Sequence, residues 1–110
     1  MPGDRMRRVN EAVREVLSAR LVEGLKDPRI GFVTVTSVDT SPDLSQARVY
    51  VSVFGDEQER AATLAGLRSS HGVLQRAIAG ELHMKRTPTL EFVYDESIDR
   101  GMRITELLDE

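Results

Sequence analysis

The chain has 110 residues, 40% of them apolar and 30% charged, with a formal net charge of −3. That size fits one domain, and with 5% aromatics and no tryptophan its core has to be aliphatic. No cysteine is present, which excludes disulfides, thiolate metal sites and cysteine nucleophiles. No apolar run approaches the ~18 residues of a membrane span, and no secretory signal is visible, so the expected setting is the cytoplasm, without a membrane partner.

Residues 5–25 are predicted to form an amphipathic helix. Val9, Ala12, Val13, Val16 and Leu17 recur at helical spacing, and Arg7, Glu11, Arg14 and Glu15 take the opposite face. Arg20 intrudes on the apolar side, and Gly24 with Pro28 ends the element. "FVTVTSV" (32–38) alternates as a strand. Ser37 then falls on the valine face and Val38 on the threonine face, which points to a bulge. "ARVYVSVF" (47–54) is a second strand with Val49, Val51 and Val53 on one side. The turn-rich "DTSPDLSQ" between the two makes them an antiparallel hairpin.

Asp56 is the expected N-cap of a helix over 55–69, with Ala61, Leu64, Ala65 and Arg68 sharing a face. Residues 73–86 are expected to be helical again and to end in Lys85-Arg86, where cations suit the helix dipole. "TLEFVYD" (89–95) is the third strand, with Leu90, Phe92 and Tyr94 inward. The last residues mix Ile98, Met102, Ile104, Leu107 and Leu108 with acids, as a docked helix or a tail. The expected division is a domain over 1–96 and a tail over 97–110. The order α-β-β-α-α-β places three helices on one face of a three-stranded sheet, an α+β two-layer sandwich.

Charge is unevenly placed. Residues 1–26 carry net +2, 27–59 net −4, 60–90 net +4 and 91–110 net −5. The most basic segment contains "RSSHGVLQRAIAG" (68–80), where Gly72 interrupts a helical pattern at a cost of about 1 kcal/mol against alanine. If Gly72 ends one helix and starts another, the second helix presents free N–H groups to phosphate, flanked by Arg68, His71 and Arg76. The residues alone favour the simpler alternative, a corner between helices that uses glycine for its permissive backbone. Arg5, Arg7 and Arg8 are a second candidate. On their own they read first as a solvated helix start, although they oppose the dipole of their own helix and so do not stabilise it.

Catalytic and metal readings find little support. His71 and His83 lie about 18 Å apart along a helix, too far to share a metal. Asp95, Glu96 and Asp99 match no metal loop, and no nucleophile elbow, phosphate loop or dinucleotide fingerprint occurs. The expectation is no catalytic residue, no metal and no cofactor.

Three stretches then stand out together: "RMRRVNEAVREVLSARLVEGLKDPRIGFVTVTSV" (5–38), "SPDLSQARVYVSVFG" (41–55) and "LRSSHGVLQRAIAGELHMKRTPTLEFVYDESIDRGMRI" (67–104). Nearly end to end, the chain resembles the bacterial ribosome-binding factor A family. The resemblance implies a type II KH-like fold and a monomeric, non-enzymatic assembly factor. It would bind the free or immature small ribosomal subunit and assist late maturation of its RNA, notably at the 5′ end and in the cold, alongside other assembly factors. It also implies an Ala-x-Gly helix kink in place of the usual KH loop. Here the matching triplet is Ser70-His71-Gly72, with serine for alanine. The expected RNA surface is then Arg68, Ser70, His71, Gly72, Gln75 and Arg76 with Lys85, Arg86, Arg5, Arg7 and Arg8. Two alternatives remain: a protein-interaction module docking on a ribosomal protein or assembly GTPase, and an RNA-processing nuclease.

Overall fold

Residues 2–97 are described by this computed structural model, in the order α1 (Pro2–Glu23), β1 (Val33–Thr40), β2 (Gln46–Val53), α2 (Glu57–Ser69), α3 (His71–Glu81) and β3 (Thr89–Tyr94). The expected order is therefore found. The predicted tail lies, beyond Ser97, outside the described residues.

Alternation builds the sheet. β1 and β2 pair antiparallel and β3 joins β2 in parallel, so the strand order is β1-β2-β3 with two edges. The register shifts between Val35 and Ser37, and this bulge returns Val38 to the buried face. The buried face is made of Val35, Val38, Ala47, Val49, Val51, Val53, Leu90 and Phe92. Against it pack Val13, Val16 and Leu17 of α1, Leu67 of α2, and Leu74, Ala77 and Ile78 of α3. Each large aliphatic side chain so buried contributes roughly 1.5–3 kcal/mol, which makes the valine stripes the main stabilising feature.

The helices differ from expectation in three places. α1 ends at Glu23 because Gly24 adopts a left-handed φ of 94°. Arg20, half-buried, faces Glu23 at 3.4 Å and Glu81 of α3 at 3.7 Å, so the intruding charge ties two helices together. α2 is capped by Asp56 in a capping box with Glu59; Leu64 of the expected face packs partly buried against the core, but the fully buried stripe is Thr63, Gly66 and Leu67, and Ala61 is exposed. Gly66 explains the rotation. A Cβ there would stand 2.6 Å from Ile30 Cγ1, so glycine lets the helix backbone approach Ile30 this closely. Thr63 Oγ1 completes that contact by accepting the Gly31 N–H at 3.2 Å.

α3 ends at Glu81, about one turn before Lys85-Arg86. Leu82 turns extended, at φ −110° and ψ 116°, and its side chain packs against the core. The two cations thus lie in the connection to β3, and the helix dipole does not account for them. Tyr94 is half-buried, with the Arg60 guanidinium 3.8 Å from its ring centre.

Candidate nucleic-acid interface

The break between α2 and α3 falls at Ser70, two residues before the glycine that suggested it. Ser70 has φ −90° and ψ 9°, and its N–H still reaches Gly66 O and Leu67 O at 3.0 and 3.1 Å. Its carbonyl accepts the Leu74 N–H at 3.1 Å, but its hydroxyl does not cap α3. Gly72 sits inside the first turn of α3 without a positive φ. Its backbone does not demand glycine. What occupies the space beside it is Arg76, whose Nη1 lies 3.3 Å from where a Cβ would stand. A guanidinium is therefore folded back over the uncapped start of a helix, where the dipole disfavours a cation.

Three of the expected RNA residues turn the other way. Arg68 Nη2 donates to Phe92 O at 3.2 Å, Leu90 N–H donates to His71 Nε2 at 3.0 Å, and Gln75 Nε2 donates to Pro88 O at 3.1 Å. Thr89 and Asp95 give their N–H groups to Ser45 and Val51 beside β2, so Pro88, Leu90 and Phe92 point their polar groups outward. Arg68, His71 and Gln75 satisfy that outer edge from one stripe of the helix pair. An edge strand so occupied is closed to further pairing.

Two cations beside the break were not among the residues singled out from the sequence. Lys26 lines the cleft between the end of α1 and Ser69, Ser70 and Val73. Arg29 reaches Ser69 Oγ at 2.7 Å from the α1–β1 connection and is held by Asp27, with contacts of 3.0 and 2.6 Å to the two carboxylate oxygens. The Arg29 guanidinium and backbone N–H hold the Asp27 carboxyl down at about 2. The tripeptide Asp27-Pro28-Arg29 carried the signal, as a helix breaker followed by a charge pair.

The remaining cations lie elsewhere. Asn10 Oδ1 accepts the Thr40 N–H at 2.8 Å, which fixes the start of α1 at the end of the sheet where β1 finishes. Arg5, Arg7 and Arg8 are exposed there, Arg7 facing Asp4 at 3.8 Å. From Arg8 to the α1 terminus beside Ser70 is about 24 Å of helix. Arg86 is close enough to Asp43, in the β1–β2 connection, to favour its charged form, although the Ser45 and Ser41 hydroxyls do more to hold that carboxyl at about 2. The basic residues thus form two clusters, one at the helix break and one at the β1–β2 end, rather than one surface. Among the described residues no group of acids and histidines is arranged to hold a metal ion, and no helix is long and apolar enough to cross a membrane.

The comparisons with known proteins agree with this architecture. The family model for ribosome-binding factor A matches residues 5–108. The chain belongs to the ribosome-binding factor A family. A member from Anaeromyxobacter dehalogenans strain 2CP-C is 56% identical over 108 residues, spanning 97% of this chain and 78% of that one. A member from Geobacter sulfurreducens is 46% identical over 107 residues, covering 97% and 91%. Among solved structures, the crystal structure of ribosome-binding factor A from Thermus thermophilus superposes with a TM-score of 0.70 at 31% identity, over 81% of this chain and 94% of that one. A Thermus thermophilus ribosome-binding factor A model fitted into a map of a 30S complex gives 0.62 at 32% identity, over 77% and 89%. The family's fold is thus this fold, α+β with three helices over a three-stranded sheet.

Proposed function

We propose that this protein is a non-enzymatic cytoplasmic assembly factor that binds the free or immature small ribosomal subunit through its RNA. Family membership supports the ribosomal setting, and the Thermus relative fitted into a 30S complex supports the small subunit as the partner. The observation that carries direct RNA contact is Arg76 over Gly72 at the uncapped start of α3. The arrangement is unfavourable in isolation, and an arriving phosphate offsets it by pairing with both the guanidinium and the free N–H groups. Lys26 flanks this first contact. Arg5, Arg8, Lys85 and Arg86 supply a second at the β1–β2 end. Two contacts read the spacing of folded RNA rather than a short sequence, which suits a factor that recognises an incompletely packed subunit.

The maturation role follows on this reading. A bound factor holds helices at the small-subunit RNA's 5′ end in a state open to trimming, without cutting RNA itself. Cold stabilises misfolded RNA helices, so the need for such a factor rises at low temperature. Binding to purified small subunits, measured by sedimentation across a salt series, tests the electrostatic core of the proposal. With about five phosphate contacts, log K falls with log salt at a slope of roughly −3.5 to −4.5. A slope near zero overturns direct RNA contact. Accumulation of unprocessed 5′ ends at low temperature in cells lacking the protein tests the maturation role.

A further inference from the structure

The two edges of the sheet are treated differently. On β3, three side chains occupy the outward polar groups. On β1, Phe32 O accepts the Phe54 N–H at 3.0 Å and Ser41 N–H reaches Gln46 O at 2.8 Å, so alternation turns the polar groups of Val33, Val35, Val38 and Thr40 outward. Asn10 covers Thr40. No described residue bonds to the outward groups of Val33 or Val35.

Apolar side chains lie exposed beside this open half. Val22 is 88% exposed, Phe32 82% and Phe54 81%, values that decide against a structural role for any of them. Phe32 is the ridge between two clefts. One runs along β1 between Gly31–Val35 and Ser18, Leu21 and Val22 of α1. The other holds Pro28, Phe54, Glu59 and Ala62. An open strand edge next to a cleft with exposed aromatics is the geometry of strand addition.

Charge selects the occupant. Glu15 lies on the α1 stripe of Ser18 and Val22, Glu23 lies beside Val22, and Asp56, Glu57 and Glu59 follow Phe54. Of the nearby cations, Arg29 is bound to Asp27, Arg20 to Glu23 and Glu81, and Arg60 lies over the Tyr94 ring, which leaves Lys26 against Glu15, Asp56, Glu57 and Glu59. Phosphate is repelled from such a rim, and lysine and arginine side chains are drawn to it. We propose that the Val33–Val35 edge of β1, with Phe32 and Val22, takes an extended basic segment of a protein partner as a fourth strand, one apolar side chain entering the Ser18–Leu21–Val22 cleft. This surface adjoins the helix-break cluster through Lys26 and Arg29 and lies apart from the cluster at the β1–β2 end.

The test uses the full chain and a synthetic peptide that alternates lysine with valine over eight residues, followed by amide NMR. Saturable shifts and slowed hydrogen exchange at Val33 and Val35, with Leu90 unmoved, are expected. Phe32→Ala and Val22→Ser should each weaken binding about tenfold, with unfolding midpoints unchanged because both side chains are exposed. A glutamate–valine peptide should not bind. Equal binding of the acidic peptide, shifts at the β3 edge instead, or no shift at all overturns the proposal. So does concentration-dependent self-association through β1, which would make a second copy the occupant. The peptide experiment contains no ribosome, so its failure leaves the salt series on small subunits to judge the RNA reading separately. In complexes with purified small subunits, a benzophenone side chain at Val22 should give adducts destroyed by protease. Adducts destroyed by ribonuclease overturn the assignment of this edge to protein.

Discussion

His71 Nε2 accepts the backbone N–H of Leu90 across 3.0 Å, so the imidazole acts as a structural acceptor that closes the outer edge of β3. Only a neutral ring with its proton on Nδ1 can do this. Imidazole-selective nitrogen NMR of the neutral ring should therefore show the proton on Nδ1 and Nε2 bare. His71→Ala leaves the Leu90 N–H without its partner, a loss of roughly 1–3 kcal/mol. For a domain of this size each kcal/mol lowers the unfolding midpoint by about 4–8 °C. Calorimetry should find that drop, while the salt slope of subunit binding stays as in the parent. A variant of unchanged stability would show that the edge does not need this acceptor.

Gly72→Ala separates backbone need from ligand need. Gly72 is helical and has no positive φ, so alanine should raise stability by about 0.5–1 kcal/mol on propensity alone. The added methyl meets only the tip of Arg76, a flexible group that can move aside. Urea unfolding is expected to show the gain, and subunit affinity is expected to fall as Arg76 leaves the start of α3. A loss of stability would mean that the break at Ser70 depends on glycine after all.

Two carboxylates set the acid limit. Asp27 and Asp43 are both held at about 2, against an ordinary value near 3.8, the first by Arg29 and the second chiefly by the Ser45 and Ser41 hydroxyls. A carboxyl lowered on folding adds stability that is complete above its unfolded value and is lost as pH falls through its folded one. Stability should therefore decline between about pH 4 and 2 with contributions from both groups. Equilibrium unfolding over that range should be less steep in pH for Asp27→Asn than for the parent. An identical profile would remove Asp27 from the account.

The sheet was more legible than the interface, for a physical reason. Strand alternation has period two, so the faces of β1 and β2 follow from Val33–Val35 and Val49–Val53, and even the bulge shows as a slip between Ser37 and Val38. Helix order and the Asp56 cap were equally readable. The interface was not, because helical spacing puts Arg68, His71 and Gln75 on one stripe without saying what the stripe faces. A row of polar side chains suits an RNA backbone and a bare strand edge alike, and only the path of β3 decides between them. The end of α3 was hidden for a related reason. Leu82 continues the helical pattern, yet it packs better from an extended backbone. The rotation of α2 depended on a close approach at Gly66, which no local pattern records.

Charge reversal then distinguishes the cations proposed to touch RNA from cations that hold the fold. Arg76 and Lys85 are exposed, with no ion pair among the described residues, whereas Arg68 donates to Phe92 O. Arg76→Glu combined with Lys85→Glu should leave the unfolding midpoint within the ±0.5 kcal/mol typical of surface changes. The same pair should weaken small-subunit binding and make the salt slope shallower by roughly 0.7–0.9 for each phosphate no longer neutralised. Arg68→Glu should do the reverse. It breaks the bond to β3 and places a carboxylate against a carbonyl, so stability falls by about 1–3 kcal/mol while the slope is kept in the fraction that remains folded. Sedimentation at four or more salt concentrations, with unfolding measured on the same samples, reads both quantities. If Arg68→Glu flattens the slope and the Arg76–Lys85 pair does not, the RNA surface lies on the β3 side of the helix break, and the two-cluster arrangement is wrong.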